Sequence, residues 1–190
     1  MLFSLPYQKL FMRLPVSFSK EMNSTVDNLW ELISSPGHLN LVHPFCKKNE
    51  TLVWNNKNHE DVLVYLNGLR YEREFISWNK NKGFSLLIGE SFGKKSKVDW
   101  VIESNNNRAH LTITVHPYLF DYMPKLIYQP LFFIIIRPMM KKYLKSVLNG
   151  IDWYLDKKTP VAKNMFGKHL WFSRYWIVNF LFKNFKKISY

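Results

Sequence analysis

Residues 84–115 read FSLLIGESFGKKSKVDWVIESNNNRAHLTITV. Three runs rich in β-branched, aromatic and other apolar residues, 84–88, 96–103 and 109–115, are separated by segments with the glycines and consecutive asparagines of turns. Parallel strands need crossovers of a dozen or more residues, and both connections here are shorter. The stretch therefore predicts three neighbouring strands of an antiparallel meander.

The same pattern continues towards the N-terminus. Residues 52–54, 61–66 and 70–78 predict three more strands, each followed by a turn that contains asparagine or glycine. Upstream of them we predict a short strand over residues 16–22 and a small helix over residues 25–34. Asn23 or Ser24 offers the helix an N-cap, Ser34-Ser35-Pro36-Gly37 stops it, and a second short helix is predicted over residues 38–42. The apolar face of the first helix comprises Val26, Leu29, Trp30 and Ile33.

On the C-terminal side, residues 137–155 predict a long amphipathic helix. Apolar residues recur at helical spacing along one face, and lysines and other polar residues occupy the opposite face, so one side packs and the other is solvated. The apolar stripe is Met140, Leu144, Val147, Leu148, Ile151 and Leu155.

Several segments together resemble a known family. They are residues 18–33 (FSKEMNSTVDNLWELI), Ser35-Pro36, His38-Leu39, His43-Pro44, Trp78, Gly83, residues 100–103, residues 111–115 and residues 141–144. In this combination residues 14–156 resemble the START-like (SRPBCC) superfamily of helix-grip proteins, which includes plant pollen allergens, polyketide cyclase-like proteins and coenzyme Q-binding proteins. The motifs specify a fold and not a ligand, because one fold hosts many functions.

The expected fold class is α+β: a curved antiparallel sheet wrapped around a long C-terminal helix, with two short helices after the first strand. We expect a START-like domain over residues 14–158, preceded by an extension over residues 1–13. A basic, aromatic tail over residues 159–190, partly helical, follows it.

The resemblance implies a cavity for a hydrophobic ligand between the sheet and the C-terminal helix. Period-2 and period-3.6 stripes predict burial whether such a cavity is open or filled by its own side chains, so both alternatives stay open. The ligand class would be a lipid, a quinone or a polyketide-like molecule, and no cofactor is expected. The predicted ligand-binding residues are Arg73, Phe84, Leu86, Val98, Trp100, Leu111, Ile113, Val115, Tyr118, Met140, Leu144, Val147 and Ile151.

An enzymatic alternative is a cyclase- or hydrolase-like activity on an apolar or aromatic substrate in the same cavity. It would need a polar group whose pKa is shifted by burial. No acid and base stand out as a pair, and the catalytic residues are not identifiable from the sequence. The candidates are Glu72, Arg73, His116, Tyr118 and Tyr122.

Two motifs indicate local structure more than chemistry. Gly89-Glu90-Ser91-Phe92-Gly93 matches the Gly-x-Ser-x-Gly pattern, but a nucleophile elbow needs a helix after it, and a strand is predicted here. A hairpin turn whose glycines supply positive φ is the better interpretation. His38, His43 and Cys46 do not have the spacing of a zinc motif, so no metal site is predicted.

The formal net charge of +13 is concentrated in the C-terminal part. Residues 1–136 carry 15 basic and 12 acidic side chains, against 12 and 2 in residues 137–190. A basic, aromatic amphipathic tail suits an anionic membrane surface, and packing on its own domain is the equal alternative. Nucleic acid ranks lower, because aromatic and basic residues lie on opposite faces. The predicted membrane contacts are Trp171, Phe172, Trp176, Phe182, Lys183, Phe185, Lys186 and Lys187.

Three features of the sequence bear on where the protein is located in the cell. A single cysteine favours a reducing compartment, the first 18 residues lack the pattern of a signal peptide, and no apolar run approaches the roughly 20 residues that span a bilayer. We expect a cytoplasmic protein, peripheral at the membrane if the tail binds there.

Overall fold

A computed structural model of the chain describes residues 14–118 and 125–173. The strands are β1 (Val16–Glu21), β2 (Cys46–Trp54), β3 (His59–Tyr65), β4 (Arg70–Asn79), β5 (Gly83–Gly89), β6 (Lys95–Asn105) and β7 (Arg108–His116). The helices are α1 (Val26–Ile33), α2 (Leu39–Val42), α3 (Lys125–Leu131), a π-helical segment (Phe132–Ile136) and α4 (Arg137–Lys157).

The seven strands form one antiparallel sheet in the order β1-β7-β6-β5-β4-β3-β2. Strands β2 to β7 pair with their sequence neighbours, as the short turns predict, and β1 closes the order by pairing with β7. Alternate residues of β6 and β7 face the core, which gives the period-2 pattern of burial. The predicted α+β helix-grip architecture is confirmed.

Three local differences from the prediction have simple causes. Thr25, not Asn23 or Ser24, caps α1, because its side chain accepts a hydrogen bond from the Asn28 amide. Strand β2 begins at Cys46, earlier than the predicted residue 52, because its N-terminal half contains polar residues that hide the strand pattern. The β5–β6 connection is a turn, as predicted, but its two glycines are absent from the positive-φ residues. Gly89 is needed instead for close approach, since a Cβ there would lie 2.6 Å from the Lys94 carbonyl oxygen.

Helix α4 lies across the sheet in a defined direction. Near its C-terminus, Asp152 forms an ion pair with Lys20 at 2.8 Å and accepts a hydrogen bond from the Asn23 amide. We call this the lower end of the sheet, where β1 ends and β7 begins. Fifteen helical residues, about 22 Å, separate Asp152 from Arg137, so the N-terminus of α4 lies towards the opposite, upper end. There β5 ends, β6 begins and β7 ends.

The lower half of α4 makes close contact with its surroundings. A Cβ on Gly150 would lie 2.0 Å from the Val42 carbonyl oxygen, so only glycine permits this approach of the helix to α2. The buried stripe of the helix contains the predicted residues and continues upstream through Tyr128, Phe132 and Ile136. Helix and sheet therefore share one core.

Candidate functional site

A cavity of about 100 Å³ lies between the upper half of the sheet and α4. Its walls come from the upper ends of strands β3 to β7, from α2 and the chain just after it, from α4 and from the segment before residue 173. The lining residues are Leu39, His43, Leu63, Tyr65, Tyr71, Arg73, Leu86, Ile88, Ser96, Val98, Trp100, Ile113, Val115, Pro117, Tyr118, Met140, Tyr143, Leu144, Val147, Trp171 and Phe172.

The structure divides the predicted ligand-binding residues into two groups. The group in the cavity wall is Arg73, Leu86, Val98, Trp100, Ile113, Val115, Tyr118, Met140, Leu144 and Val147. Phe84, Leu111 and Ile151 do not line the cavity and are buried in the solid core. Phe84 packs among aromatic rings, including a stacked contact with Trp100 at 5.2 Å. Ile151 follows Gly150, where the helix approaches its neighbours too closely to leave space.

The wall also contains residues that sequence reasoning missed. Leu63 and Tyr65 could have been found, because residues two apart on a strand share one face and both lie in the predicted strand that became β3. Tyr143 lies three residues after Met140, a helical neighbour spacing, but its flanking lysines obscure the pattern. The positions of His43 and Phe172 depend on contacts distant in sequence and have no local signal.

A buried ion pair joins two adjacent strands beside the cavity. Arg73 and Asp61 are cross-strand partners in β4 and β3. The Arg73 Nε atom donates to Asp61 Oδ1 at 2.7 Å and Nη2 donates to Oδ2 at 2.5 Å. Asp61 is fully buried, and Arg73 is 3% exposed and belongs to the cavity wall. Removing either partner would leave an uncompensated buried charge, which typically costs about 3 to 5 kcal/mol.

A second polar group connects α2 to α4. The Phe45 amide donates to His43 Nδ1 at 3.2 Å, so Nε2 carries the proton and donates to the Tyr143 hydroxyl at 2.9 Å. The Tyr143 hydroxyl lies 3.2 Å from that of Tyr65. Burial raises the pKa of Tyr143 to about 12, and burial, with the nearby Arg73 charge, lowers the pKa of His43 to about 3. At ordinary pH, His43 and Tyr143 are thus neutral hydrogen-bonding groups in a wall that also contains the charged Arg73.

Two other buried polar residues lie close by. His38 donates from Nδ1 to the Ser35 carbonyl oxygen at 2.9 Å, and its Nε2 is buried with no hydrogen-bond partner. Burial lowers the pKa of His38 to about 4. Burial raises the pKa of the Cys46 thiol to about 12, so this cysteine is protonated and unreactive. Within the described ranges, no three His, Cys, Asp or Glu side chains are placed to hold a metal ion.

Residues 161–173 form a strap that packs on the body of the protein. Val161 donates its amide to the Leu41 carbonyl oxygen at 2.8 Å. Asn67 then holds the other end, because its side chain donates to the Trp171 carbonyl oxygen at 2.7 Å and its amide to that of Phe172 at 3.2 Å. The Phe172 ring stacks on Tyr65 with centroids 4.3 Å apart and is 9% exposed. The strap therefore closes one wall of the cavity.

Two of the predicted membrane contacts belong to the strap. Trp171 and Phe172 were expected at a membrane surface, and the structure places both in the cavity wall. For these two residues the tail packs on its own domain. The other predicted contacts, Trp176, Phe182, Lys183, Phe185, Lys186 and Lys187, lie outside the described residues. No described helix combines the length and apolar character needed to cross a membrane.

The structure also shows which of the candidate catalytic residues line the cavity. Tyr118 lines the cavity, whereas Glu72 and His116 do not. The Glu72 carboxylate accepts a hydrogen bond from the Ser91 hydroxyl, and His116 Nε2 lies 3.1 Å from an Asp99 oxygen. Tyr122 falls outside the described residues. Arg73 is thus the one charged candidate in the described cavity wall.

Comparison with known proteins supports the fold. No family model and no curated protein sequence matches the chain. Among solved structures, TTHA0849 from Thermus thermophilus matches with a TM-score of 0.63 and 14% identity over 76% of this chain and 99% of its own. A START superfamily protein from Mycobacterium smegmatis matches with a TM-score of 0.57 and 13% identity over 76% and 99%. DynU16, from the dynemicin biosynthetic locus, matches with a TM-score of 0.58 and 13% identity.

The DynU16 match covers 77% of this chain, which spans only 48% of the longer DynU16 chain. At these identities the likeness concerns the fold alone. The chain has a START-like helix-grip fold.

The neutral buried histidines predict an acid-sensitive fold. In the unfolded chain His38 and His43 take up protons with a pKa near 6.5, but in the folded protein their pKa values are about 4 and about 3. The folded state binds fewer protons across this interval, so stability falls as the pH falls below 6.5. Each histidine should contribute a loss of about 2 kcal/mol between pH 7 and pH 5.

Urea unfolding at the two pH values measures this loss. The His43→Gln variant should lose about half of the combined effect, whereas the His110→Gln variant, with an imidazole removed outside the core, should keep it. An equal drop in the wild type and His43→Gln would contradict the assignment.

Proposed function

We propose that this START-like protein binds a hydrophobic small molecule in the cavity between the sheet and α4. The observation that carries the proposal is a cavity whose wall is almost entirely apolar and aromatic, with a few convergent polar groups. Ligand sites generally have this composition, in which apolar side chains supply affinity and a few polar groups fix orientation. The START-like fold is consistent with such a role.

The polar groups narrow the chemistry of the ligand. The Arg73 guanidinium uses Nε and Nη2 for Asp61, which leaves further N–H donors on a residue that lines the cavity. The Tyr143 hydroxyl adds a neutral hydrogen-bonding group. A ligand with an apolar body and one oxygen function, such as a lipid, a quinone or a polyketide-like molecule, would match both features.

The volume of the cavity sets a condition on binding. An engineered apolar cavity of about 150 Å³ accepts benzene, and sites for larger ligands usually exceed about 300 Å³. A cavity of about 100 Å³ therefore needs to expand for a lipid or quinone. The strap is the wall best suited to move, because it belongs to no strand or long helix and is held by a few hydrogen bonds and by the stacking of Phe172 on Tyr65.

A cyclase- or hydrolase-like enzyme acting in the same cavity is the second candidate. The observation that favours it is the Tyr143 hydroxyl, which His43 orients beside the cavity. With a pKa of about 3, His43 is a weak base, so such an enzyme would use these groups as hydrogen-bond partners more than as a proton acceptor. A ligand recovered unchanged after incubation favours binding, and a converted ligand favours catalysis.

Native mass spectrometry of gently purified protein tests the proposal. We expect a species heavier than the polypeptide by the mass of an apolar molecule that organic solvent extracts. In the Val98→Phe variant the larger ring fills the cavity, so the ligand-bound fraction should fall about tenfold or more.

The Val101→Phe variant is the matched control, because Val101 lies on the exposed face of the same strand. It should retain the ligand. Equal ligand occupancy in the two folded variants would place the ligand elsewhere, and its absence from the wild type would argue for a filled core.

We also propose that residues 174–190 help to bring the protein to anionic membranes. This segment carries lysines and aromatic residues and no carboxylate side chain. Each lysine near an anionic surface contributes about 1 kcal/mol of attraction. The triple variant Lys183→Glu, Lys186→Glu, Lys187→Glu should therefore bind phosphatidylserine-containing vesicles at least about tenfold more weakly in flotation.

The control makes the same charge change elsewhere. Lys57, Lys80 and Lys82 are exposed in the turns at the lower end of the sheet. Their triple replacement by glutamate should have a smaller effect. An equal loss in both triple variants would mean that net charge, and not this segment, governs binding.

A further inference from the structure

The helical segment that precedes α4 is apolar on both sides. Tyr128, Phe132 and Ile136 form its buried face. On its other side, Leu126 is 86% exposed and Ile134 is 73% exposed. A helix that is apolar all round usually lies in a protein core or a membrane, and this one has a core on only one side. The exposed set is Leu126, Ile127, Phe133, Ile134 and Ile135.

Another exposed apolar residue, outside this segment, lies at the same end of the molecule. Phe92 lies in the turn between β5 and β6 and is fully exposed. That turn is at the upper end of the sheet, where β7 also ends and where the N-terminus of α4 lies. The cavity occupies this end too, since Ile88, Ser96 and Met140 line it.

The charge around these residues favours an anionic partner. Between Asp121 and Asp152 the chain has no carboxylate side chain and carries five basic residues. The Arg137 guanidinium lies over the Phe133 ring at 5.8 Å, and Lys141 and Lys142 follow on the helix. Lys94 follows Phe92 in the turn, which also contains Glu90, and Lys95 at the start of β6 pairs with Glu74. Apolar side chains bordered by lysine and arginine are typical of helices that lie in a membrane interface.

Of the possible occupants, an anionic bilayer fits best. Two copies of the chain joined through this surface would bring basic residues against basic residues, which is unfavourable. A bilayer supplies an apolar phase for the exposed side chains and anionic headgroups for the cations at its border. Long basic side chains can keep their charge at headgroup level while their stems lie on apolar surface.

We propose that the upper end of the molecule, formed by residues 126–137 and the turn around Phe92, docks on an anionic membrane surface. Leu126, Phe133, Ile134 and Phe92 insert at the headgroup–acyl boundary, and Arg137 and Lys141 contact the headgroups. This surface belongs to the folded domain, so it goes beyond the proposed role of residues 174–190. It requires no ligand in the cavity.

Flotation of the full chain with vesicles of phosphatidylcholine and phosphatidylserine tests this surface. The double variant Phe92→Ser, Ile134→Ser removes two inserted side chains that contribute nothing to the core, and should lower vesicle partitioning about tenfold or more. The control is Leu52→Ser, Ile76→Ser, which changes two exposed apolar residues at the lower end of the sheet. It should partition as the wild type does.

Labelling distinguishes this surface from other modes of attachment. Cys46 is the single cysteine and is buried, so a dye attaches selectively to an Ile134→Cys or an Ile76→Cys variant. On phosphatidylserine-containing vesicles an environment-sensitive dye at position 134 should shift to shorter wavelength, and one at position 76 should not. Pure phosphatidylcholine should give a weaker shift.

Three results would overturn the proposal. Wild-type partitioning by Phe92→Ser, Ile134→Ser would mean that residues 174–190 bind alone or cover this surface. A blue shift at position 134 without vesicles, together with a dimeric mass, would identify a second copy of the chain as the occupant. A dye at position 76 that shifts more than one at position 134 would place the membrane at the lower end.

Discussion

A single helix cannot fill the concave face of a seven-stranded sheet, and this constraint shapes the molecule. At the lower end, α4 packs closely enough to leave no space. Gly150 lets the helix approach the α2 backbone, and Asp152 forms an ion pair with Lys20. At the upper end the helix and sheet diverge around a cavity of about 100 Å³. The same helix is thus a core element at one end and a cavity wall at the other.

The divergence of helix and sheet at the upper end explains the positions of the strap and of the buried polar groups. An open upper end would expose aromatic side chains of β3 and α4, and the Phe172 ring covers them by stacking on Tyr65. Two polar pairs remain inside, Arg73 with Asp61 and His43 with Tyr143, while His38 Nε2 is buried without a hydrogen-bond partner. Because burying an unpaired charge is costly, these pairs let polar atoms reach an apolar cavity without destabilising the fold.

Sequence patterns predicted the parts that depend on local order. Alternation and turn residues located the sheet, and the helical stripe predicted the burial of Met140, Leu144 and Val147, which line the cavity. The Arg73–Asp61 pair was not predictable, because it depends on the register between β3 and β4. Phe172 shows a different limit. An aromatic residue in a basic segment has the same local pattern whether it meets a membrane or its own domain, and here its partner Tyr65 is more than a hundred residues away.

Methyl-group NMR of the wild-type protein under xenon tests the central claim, an apolar cavity open to ligands, most directly. Xenon enters dry apolar cavities without needing a specific polar contact. The methyl resonances of Val98, Leu144 and Val147, which line the cavity, should shift with xenon pressure, while those of Leu111 and Ile151 in the solid core should not. Unchanged resonances at the three cavity positions would show a filled core and contradict the account.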